Sequence, residues 1–481
     1  MMAYEPAWKD NINNPVGEEP TSTTPLLSSN TSDSSVYYYV RSSERRTRFS
    51  FSVFNLMNAI MGSGILGLSY AVMESGIILF VILLSLVLTA TIYTVNLLLE
   101  MCHMTGVMSF EDIGDAAFKN KGKILTVAVI MTQNIGSMSS YLYIIKTELP
   151  EVIESLMGIE QTDAWFSNGD YLVLLVMFTV ILPLACLPKI GFLSYTSSFS
   201  VLSMSFFMIV VVVEKFRLPC PIPDITETNI TSATVLPTKS MFYEQDEQNN
   251  STCQPDYFLI GLNTAYAIPT MAFSFVCHTA VIPIYKELSN PTKQRMLGVS
   301  MTALLSCFFM YLITGVFGYL TFYEKVESEL LLSYSQYPNP APIISVVRLV
   351  VIVAIIFHLP VIHFPCRISL VTLLEMILPR RAPSRAYMWC LHVCSTLMLL
   401  TAITLIALFV PDIKQIFGFF GATSSTGLLL FLPSLFYLKI APGAPLSKKK
   451  IIPLILLFSS FVILVVCLTA ILLQLLHPLH E

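Results

Sequence analysis

The chain has 481 residues, of which 54% are hydrophobic and only 12% are charged, with a formal net charge of −4. Because soluble globular domains carry about 25% charged residues, this composition excludes a single water-facing globule and favours an all-α polytopic membrane protein. No metal-ligand cluster, nucleotide-binding loop or nucleophile motif stands out, so the sequence supports neither an enzyme nor a nucleic-acid-binding protein.

The first 48 residues differ in composition from everything that follows. They are rich in Ser, Thr, Asn and Pro and contain no apolar run, which predicts a disordered tail over residues 1–48. A basic start followed by a short apolar region is missing, so we expect no cleavable signal peptide.

Eleven apolar segments follow the tail. Crossing ~30 Å of hydrocarbon takes about 20 residues of helix. Lys and Arg accumulate in the tail and in every second loop, whereas acidic residues gather in the others, which predicts a cytoplasmic N-terminus and a short extracellular C-terminus. The predicted spans are 49–72, 77–102, 123–147, 170–187, 191–216, 256–285, 297–322, 341–366, 387–410, 413–438 and 451–476.

This topology places the loop 217–255 outside the cell. The loop contains Cys220 and Cys253, and it carries glycosylation sequons at Asn229, Asn249 and Asn250. Because we place only these two of the ten cysteines clear of the bilayer, on the oxidising side, we predict that they form a disulfide. A glycosylated loop fits the plasma membrane, which we favour, and the lysosomal membrane.

The first span is interrupted at its centre by Gly62-Ser63-Gly64. An unwound half-helix presents free N–H groups to an anion and free carbonyls to a cation, which is the chemistry of a solute site. The same small residues also favour close helix packing, and the sequence leaves both interpretations open.

The sixth span repeats this oddity. Pro269 and Thr270 lie inside it, with Ser274 one turn later, and together they predict a second helix break. Five spans followed by five more, each set opening with a broken helix, predict an inverted-repeat transporter. We divide the chain into a first repeat (49–216), the loop, a second repeat (256–438) and a segment 439–481 with the eleventh helix.

Polar side chains inside other spans are candidates for the same site. Asn58 stands one turn before the first break, where its oxygen can coordinate a cation, fix the substrate or simply bond another helix. Ser137 and Tyr141 share a face of the third span, which is either a cavity wall or an interhelical hydrogen-bonding stripe.

Ionisable residues inside spans have several predicted roles. Glu148 and Arg348 lie near span ends, where we expect them to reach the interface. His358 is interior, and a histidine can carry a coupling proton near neutral pH.

Several segments of the chain resemble a known family. The string from Ser52 to Leu68 resembles the opening span of the sodium-coupled neutral amino acid transporters, which have a leucine-transporter-like fold. Further similar strings are Gln133-Asn134-Ile135-Gly136, Leu187-Pro188-Lys189-Ile190-Gly191, Ala267-Ile268-Pro269-Thr270 and Phe317-Gly318-Tyr319.

The resemblance implies symport of a small neutral amino acid with sodium, and no organic cofactor. It implies that Asn58 binds sodium, together with backbone carbonyls near Met57 and Ile60 and a hydroxyl of the eighth span. Where the family usually carries Thr in that span, this chain has His358, and an imidazole is a poor sodium ligand. Proton coupling through His358 therefore stays open.

Our prediction is a monomeric secondary transporter with a leucine-transporter-like 5+5 inverted repeat and an eleventh transmembrane helix. An amino-acid sensor that binds its ligand with little transport is the alternative from another class. The predicted substrate site consists of Gly62, Ser63, Gly64, Ser137, Tyr141 and Ser274.

Overall fold

A computed structural model of the protein describes residues 47–158, 164–186, 193–219, 253–261, 264–337, 341–377, 385–444 and 447–476. These residues are almost entirely helical, and their single β-bridge joins Thr47 to Leu288. The predicted tail, Cys220 and the three sequons at Asn229, Asn249 and Asn250 lie outside the described residues.

The first half of the bundle opens with a broken helix. Helix α1 is followed by the 3-10 turn Ser63–Gly67 and by α2, and the two halves of this span are bent by 53°. A polar cap begins α4 (Phe110–Phe118), where the Ser109 hydroxyl accepts a hydrogen bond from the Asp112 N–H. Helices of this half are α1 (Phe49–Ile60), α2 (Leu68–Ser75), α3 (Ile77–Thr105), α4 (Phe110–Phe118), α5 (Asn120–Met157), α6 (Gly169–Val176), α7 (Leu182–Ala185) and α8 (Leu193–Lys215).

The second half has the same number of spans. Within it, π-helical turns at Gly421–Ser425 and Gly427–Phe431 interrupt the tenth span. Its helices are α9 (Thr264–Ser274), α10 (His278–Glu287), α11 (Lys293–Phe322), α12 (Leu330–Ser333), α13 (Pro342–Ile377), α14 (Arg385–Phe409), α15 (Ile413–Phe420) and α16 (Leu432–Ile440), and α17 (Lys448–Leu476) follows them.

Helices stand at all eleven predicted spans. Among the described residues, eight helices are long and apolar enough to cross a membrane, and the bent pair of the first span makes nine. The two others are α5, whose 38 residues include the polar stripe, and the shorter apolar helix Gly169–Ala185. The chain is therefore a polytopic membrane protein. Only 17% of the apolar window of α17 is buried, which places this helix at the periphery of the bundle.

Two details differ from the sequence-based expectations. The second break does not occur at Pro269, which lies inside α9, but at residues 275–277 between Ser274 and His278. A proline inside a transmembrane helix removes one backbone hydrogen bond, and neighbouring helices can satisfy the freed carbonyl, so α9 continues past it.

The expected interfacial positions of Glu148 and Arg348 are also wrong. Both side chains are buried, with 0% and 2% exposure, and the Arg348 Nε lies 2.9 Å from the Glu148 Oε2. Each charge is compensated by the other, so neither side chain needs to extend to water.

The predicted disulfide is tested at one end. Cys253 is disulfide-bonded, whereas the eight other described cysteines are free. Because Cys220 lies outside the described residues, the identity of the partner stays a prediction, as does glycosylation.

Candidate functional site

The first break exposes backbone groups at the centre of the bundle. α1 ends at Ile60, Gly62 adopts an extended backbone conformation, and no side chain caps the turn that begins at Ser63. The uncapped N–H groups at the start of this turn form a small electropositive site, to which the dipoles of the turn and of α2 contribute. The structure confirms the predicted position of this break.

Side chains of α5 cover the break. A Cβ atom placed on Gly62 would lie 2.7 Å from the hydroxyl oxygen of Tyr141, so the missing side chain makes room for that hydroxyl. The Ser63 Oγ lies 2.5 Å from the Ser140 Oγ. Ser137 participates through its backbone carbonyl, which accepts a hydrogen bond of 2.8 Å from Ser140.

This chain of hydroxyls has a fixed direction. The Ser140 proton goes to the carbonyl of Ser137, so Ser63 must donate to Ser140. The Ser63 hydroxyl then has no proton left for a bound anion. A carboxylate at this break would be held by the backbone N–H groups rather than by that hydroxyl.

The second break packs directly onto the first. Ser274, the last residue of α9, contacts Gly64 so closely that a Cβ atom there would overlap its hydroxyl. The Tyr311 hydroxyl on α11 lies 3.0 Å from the Ile60 carbonyl oxygen and 2.9 Å from the Ser274 carbonyl oxygen. The buried Tyr311 hydroxyl is therefore within hydrogen-bonding distance of the last carbonyl of each interrupted helix.

Asn58 has an unused acceptor beside the break. Its Nδ2 donates to the Ser197 Oγ of α8 at 3.2 Å, while its Oδ1 is buried without a hydrogen-bond partner. Leaving such an acceptor unpaired costs about 1–3 kcal/mol, which a bound cation would recover. Met57 and Ile60 contribute backbone carbonyls to this region. The Met57 carbonyl accepts a hydrogen bond from the Met61 N–H, and the Ile60 carbonyl accepts one from the Gly62 N–H.

The oxygen chemistry at Asn58 fits a hard cation. A carbonyl oxygen has two lone pairs. The Met57 carbonyl oxygen accepts one hydrogen bond, from the Met61 N–H, and keeps a second acceptor site, whereas the Ile60 carbonyl oxygen accepts from the Gly62 N–H and lies within hydrogen-bonding distance of the Tyr311 hydroxyl. Among the described residues no group of three or more His, Cys, Asp or Glu side chains could hold a metal ion.

His358 of α13 reaches the same region from the other side. Its ring lies 5.6 Å from the Tyr141 ring, measured between centroids, and only 7% of the residue is exposed. The tyrosine that covers Gly62 is thus in contact with His358, a histidine that the sequence marked as a coupling candidate.

Contacts close the bundle at both ends of this region. Toward the face predicted to be extracellular, the Tyr143 hydroxyl donates to the Pro411 carbonyl at 2.9 Å, and the tilted Phe273 and Phe417 rings pack with their centroids 5.1 Å apart. Toward the opposite face, the Thr47 N–H donates to the Glu287 carbonyl at 2.7 Å. These contacts join the helices on both sides of the breaks.

Not every residue in this region was predicted from the sequence. Gly62, Ser63, Gly64, Tyr141 and Ser274 come together as expected, although their role in binding stays a prediction. Ser140 belongs to the polar stripe that the sequence predicts on the third span, without being assigned to the site. Ser197 was an unremarked polar residue of the fifth span, and Tyr311 gives no signal among the apolar residues of α11.

Comparisons with known proteins agree with this architecture. Residues 45–476 match the family described as transmembrane amino acid transporter protein. The chain is 42% identical over 434 residues to the sodium-coupled neutral amino acid symporter 2 of Danio rerio, covering 89% of this chain and 83% of that protein.

A solved structure supports the fold. The chain is similar, with a TM-score of 0.53 and 11% identity, to Mhp1, a nucleobase-cation-symport-1 family transporter in a closed conformation with bromovinylhydantoin bound. The match covers 90% of this chain and 91% of that one. The fold is the leucine-transporter-like 5+5 inverted repeat with an eleventh helix, and the chain belongs to the transmembrane amino acid transporter family.

Proposed function

We propose that the protein is a secondary active transporter that carries small neutral amino acids, of the glutamine and alanine class, together with sodium by alternating access. The observation that carries this proposal is the buried, unpaired Oδ1 of Asn58, directly beside an uncapped helix break. An unpaired acceptor and free N–H groups in one enclosed region suit a cation and a carboxylate respectively.

The amino acid would bind through its backbone groups at the two breaks. Its carboxylate would accept hydrogen bonds from the N–H groups after Gly62, and its ammonium group and side chain would face Ser274 and Tyr141. Sodium would bind at Asn58 and the carbonyl of Met57, and at the carbonyl of Ile60 when the Tyr311 hydroxyl donates its single proton to Ser274 instead, so the ion would stabilise the end of α1 on which the substrate rests. Alternating access would then open the contacts on one face while those on the other stay closed.

A second candidate is proton coupling, and the position of His358 favours it. The imidazole contacts Tyr141, which in turn covers Gly62, so a change in its charge would be felt at the substrate site. An imidazole also replaces the hydroxyl ligand that the related family brings from this span. In this case the driving ion would be a proton and Asn58 would serve the substrate.

Uptake of radiolabelled amino acids into proteoliposomes tests both candidates. Purified protein would be given glutamine, alanine and glutamate under a sodium gradient, under choline and under a proton gradient alone. We expect sodium-driven accumulation of glutamine or alanine that Asn58→Ala removes. The matched control is Asn96→Ala, which changes an asparagine of α3, a span without a break, and should retain uptake.

The other results separate the remaining functions. Accumulation under the proton gradient alone, lost in His358→Ala, would replace sodium with protons as the coupling ion. Saturable binding without accumulation under any gradient would contradict transport and favour an amino-acid sensor.

We also propose that the protein is monomeric and resides in the plasma membrane, with its N-terminus in the cytoplasm. The predicted glycosylated loop supports a membrane reached through the secretory route, and the lysosomal membrane is the alternative. Labelling of intact cells with a membrane-impermeant reagent distinguishes the two.

A further inference from the structure

A buried ionic cluster lies away from the helix breaks, at the end of α5 predicted to be extracellular. Arg348 of α13 is 2% exposed, and its Nε and Nη1 lie 2.9 Å from Glu148 and 2.8 Å from Glu151. Its Nη2 donates to the Leu331 carbonyl at 3.0 Å and to the Ser335 Oγ at 2.6 Å. One guanidinium thus joins α5, α12 and α13.

A second buried carboxyl group completes the cluster. Glu329, directly before α12, is 0% exposed, and its Oε2 accepts a hydrogen bond of 3.0 Å from the Thr147 hydroxyl. Because Thr147 directly precedes Glu148 on α5, this hydrogen bond brings the Glu329 carboxyl group next to Glu148, which is also 0% exposed. Two carboxyl groups therefore meet where neither has access to water.

The oxygens between these carboxyl groups have no donor. Both Glu148 oxygens lack a hydrogen-bond partner, although one of them is ion-paired with Arg348, and the Oε1 of Glu329 is unpartnered as well. Two adjacent carboxylates have only acceptors, so nothing in their own chemistry can satisfy these atoms. A single proton turns one acceptor into a donor and pairs it with the other.

The charges of the cluster also require a bound proton. Two fully buried carboxylates face one guanidinium, and that guanidinium also serves Glu151, whose side chain is 29% exposed. A second buried negative charge would be uncompensated, and such charges are neutralised in proteins rather than left in a medium of low polarity.

The other charged groups near the cluster are paired with one another and do not compensate Glu329. Asp412, before α15, contributes negative charge near Glu329 although it is ion-paired with Lys414 at 3.3 Å, and Glu214 of α8, near Tyr334, is ion-paired with Arg217 at 3.4 Å. Lys146 is engaged with Asp170 at 2.8 Å. Burial, and then repulsion from Glu148, raise the pKa of Glu329 well above its usual value, and Arg348 offsets this only partly.

We propose that Glu148 and Glu329 form a proton-binding site in which one proton is shared by the two carboxyl groups and holds the segment before α12 against α5 and α13. The proton comes from water on the face predicted to be extracellular. When this contact opens, both carboxyl groups gain water, repel each other and release the proton.

This inference extends the proposed function, because it makes external closure of the transporter depend on protonation. The contact between Glu329 and α5 is present in this structure, and it favours the bound proton. By linkage, lower external pH stabilises closure and slows the return to the outward-open state, whereas higher pH favours opening.

Infrared difference spectroscopy tests the site without requiring transport. Purified protein in nanodiscs would be titrated with acid and base while the C=O stretch of protonated carboxyl groups is followed. We expect a protonated-carboxyl signal at neutral pH that is lost in Glu329→Gln and in Glu148→Gln. Glu151→Gln, which changes the partly exposed carboxylate of the same cluster, should retain it.

The first variant is expected to fold, because a glutamine amide supplies the donor that the shared proton provides. Should Glu329→Gln fail to fold, Glu148→Gln tests the same loss of the protonated-carboxyl signal, because Arg348 stays paired with Glu151 in that variant. Absence of the signal in the wild-type protein, or its persistence in both Gln variants, would overturn the proton site.

Uptake at different external pH values then tests the link to closure. Glu329→Gln should lose the pH dependence of uptake that Glu151→Gln and the wild-type protein retain. If the spectroscopic signal disappears in Glu329→Gln while its pH profile matches the wild type, the link to closure is overturned. A protein that shows the signal but transports no amino acid would keep the proton site and contradict only the proposed function.

Discussion

The two helix breaks at the centre of the protein are built in different ways. The first contains two non-helical residues and a 3-10 turn, bends its span by 53° and depends on glycines. The second consists of three residues between Ser274 and His278 and contains no glycine. Thr264–Glu287 remains a single membrane span of 24 residues despite this break.

This difference assigns different chemistry to each break. At the first, the backbone itself is accessible, because Gly62 and Gly64 carry no side chains. At the second, side chains are presented: Ser274 lies against Gly64, and the Nε2 of His278 lies 3.0 Å from the Thr94 Oγ1. The first break is suited to bind a charged backbone group of a ligand, and the second to shape the space around it.

The largest expected effect comes from filling the space between the breaks. In Gly64→Ala the new Cβ would meet both the hydroxyl and the backbone Cα of Ser274, so the two breaks must separate. Overpacking of this kind costs about 1–3 kcal/mol. We expect a lower thermal unfolding midpoint and loss of uptake.

Two other glycines calibrate this effect. Gly62→Ala meets only the end of the Tyr141 side chain, which can move, so its effect should be smaller. Gly261→Ala has nothing within 4 Å and should be neutral. Equal unfolding midpoints for Gly64→Ala and Gly261→Ala would contradict the close contact between the breaks.

A smaller effect is expected from removing the hydroxyl that joins the two breaks. Tyr311→Phe leaves the Ile60 and Ser274 carbonyls without this donor, which costs about 1–3 kcal/mol. We expect a lower unfolding midpoint and reduced uptake, measured on the same preparations.

Tyr334→Phe is the matched control, because the Tyr334 hydroxyl is buried without a hydrogen-bond partner. Removing an unsatisfied group should be neutral or stabilising. If both Phe variants behave alike, the hydroxyl of Tyr311 does not couple the breaks.

The sequence predicted the first break better than the second for a physical reason. Adjacent glycines in a span have few roles besides a break or a close approach, and Gly62 and Gly64 serve both. Pro269 misled because a transmembrane helix can continue past an interior proline when its neighbours satisfy the freed carbonyl. The hydrogen bonds of Tyr311 and the buried ion pair of Glu148 and Arg348 join segments that are distant in the sequence. The periodicity of apolar residues along the chain does not indicate such contacts.

The smallest effect concerns the polar stripe of α5, for which the sequence left a cavity wall and an interhelical bond equally open. Ser140→Ala removes the acceptor of the Ser63 proton, and Ser139→Ala removes a hydroxyl that bonds only to the Ile135 carbonyl of its own helix. A freed Ser63 hydroxyl can donate to a substrate carboxylate instead.

A net hydrogen bond is worth about 0.5–1.5 kcal/mol, so we expect the free energy of unfolding to fall by that amount in Ser140→Ala. The KM for amino-acid uptake should change by up to roughly tenfold in the same variant. Ser139→Ala should change neither. If Ser140→Ala lowers the unfolding midpoint with KM unchanged, the stripe packs helices and the substrate lies elsewhere along the break; if KM changes as well, Ser63 borders the bound amino acid.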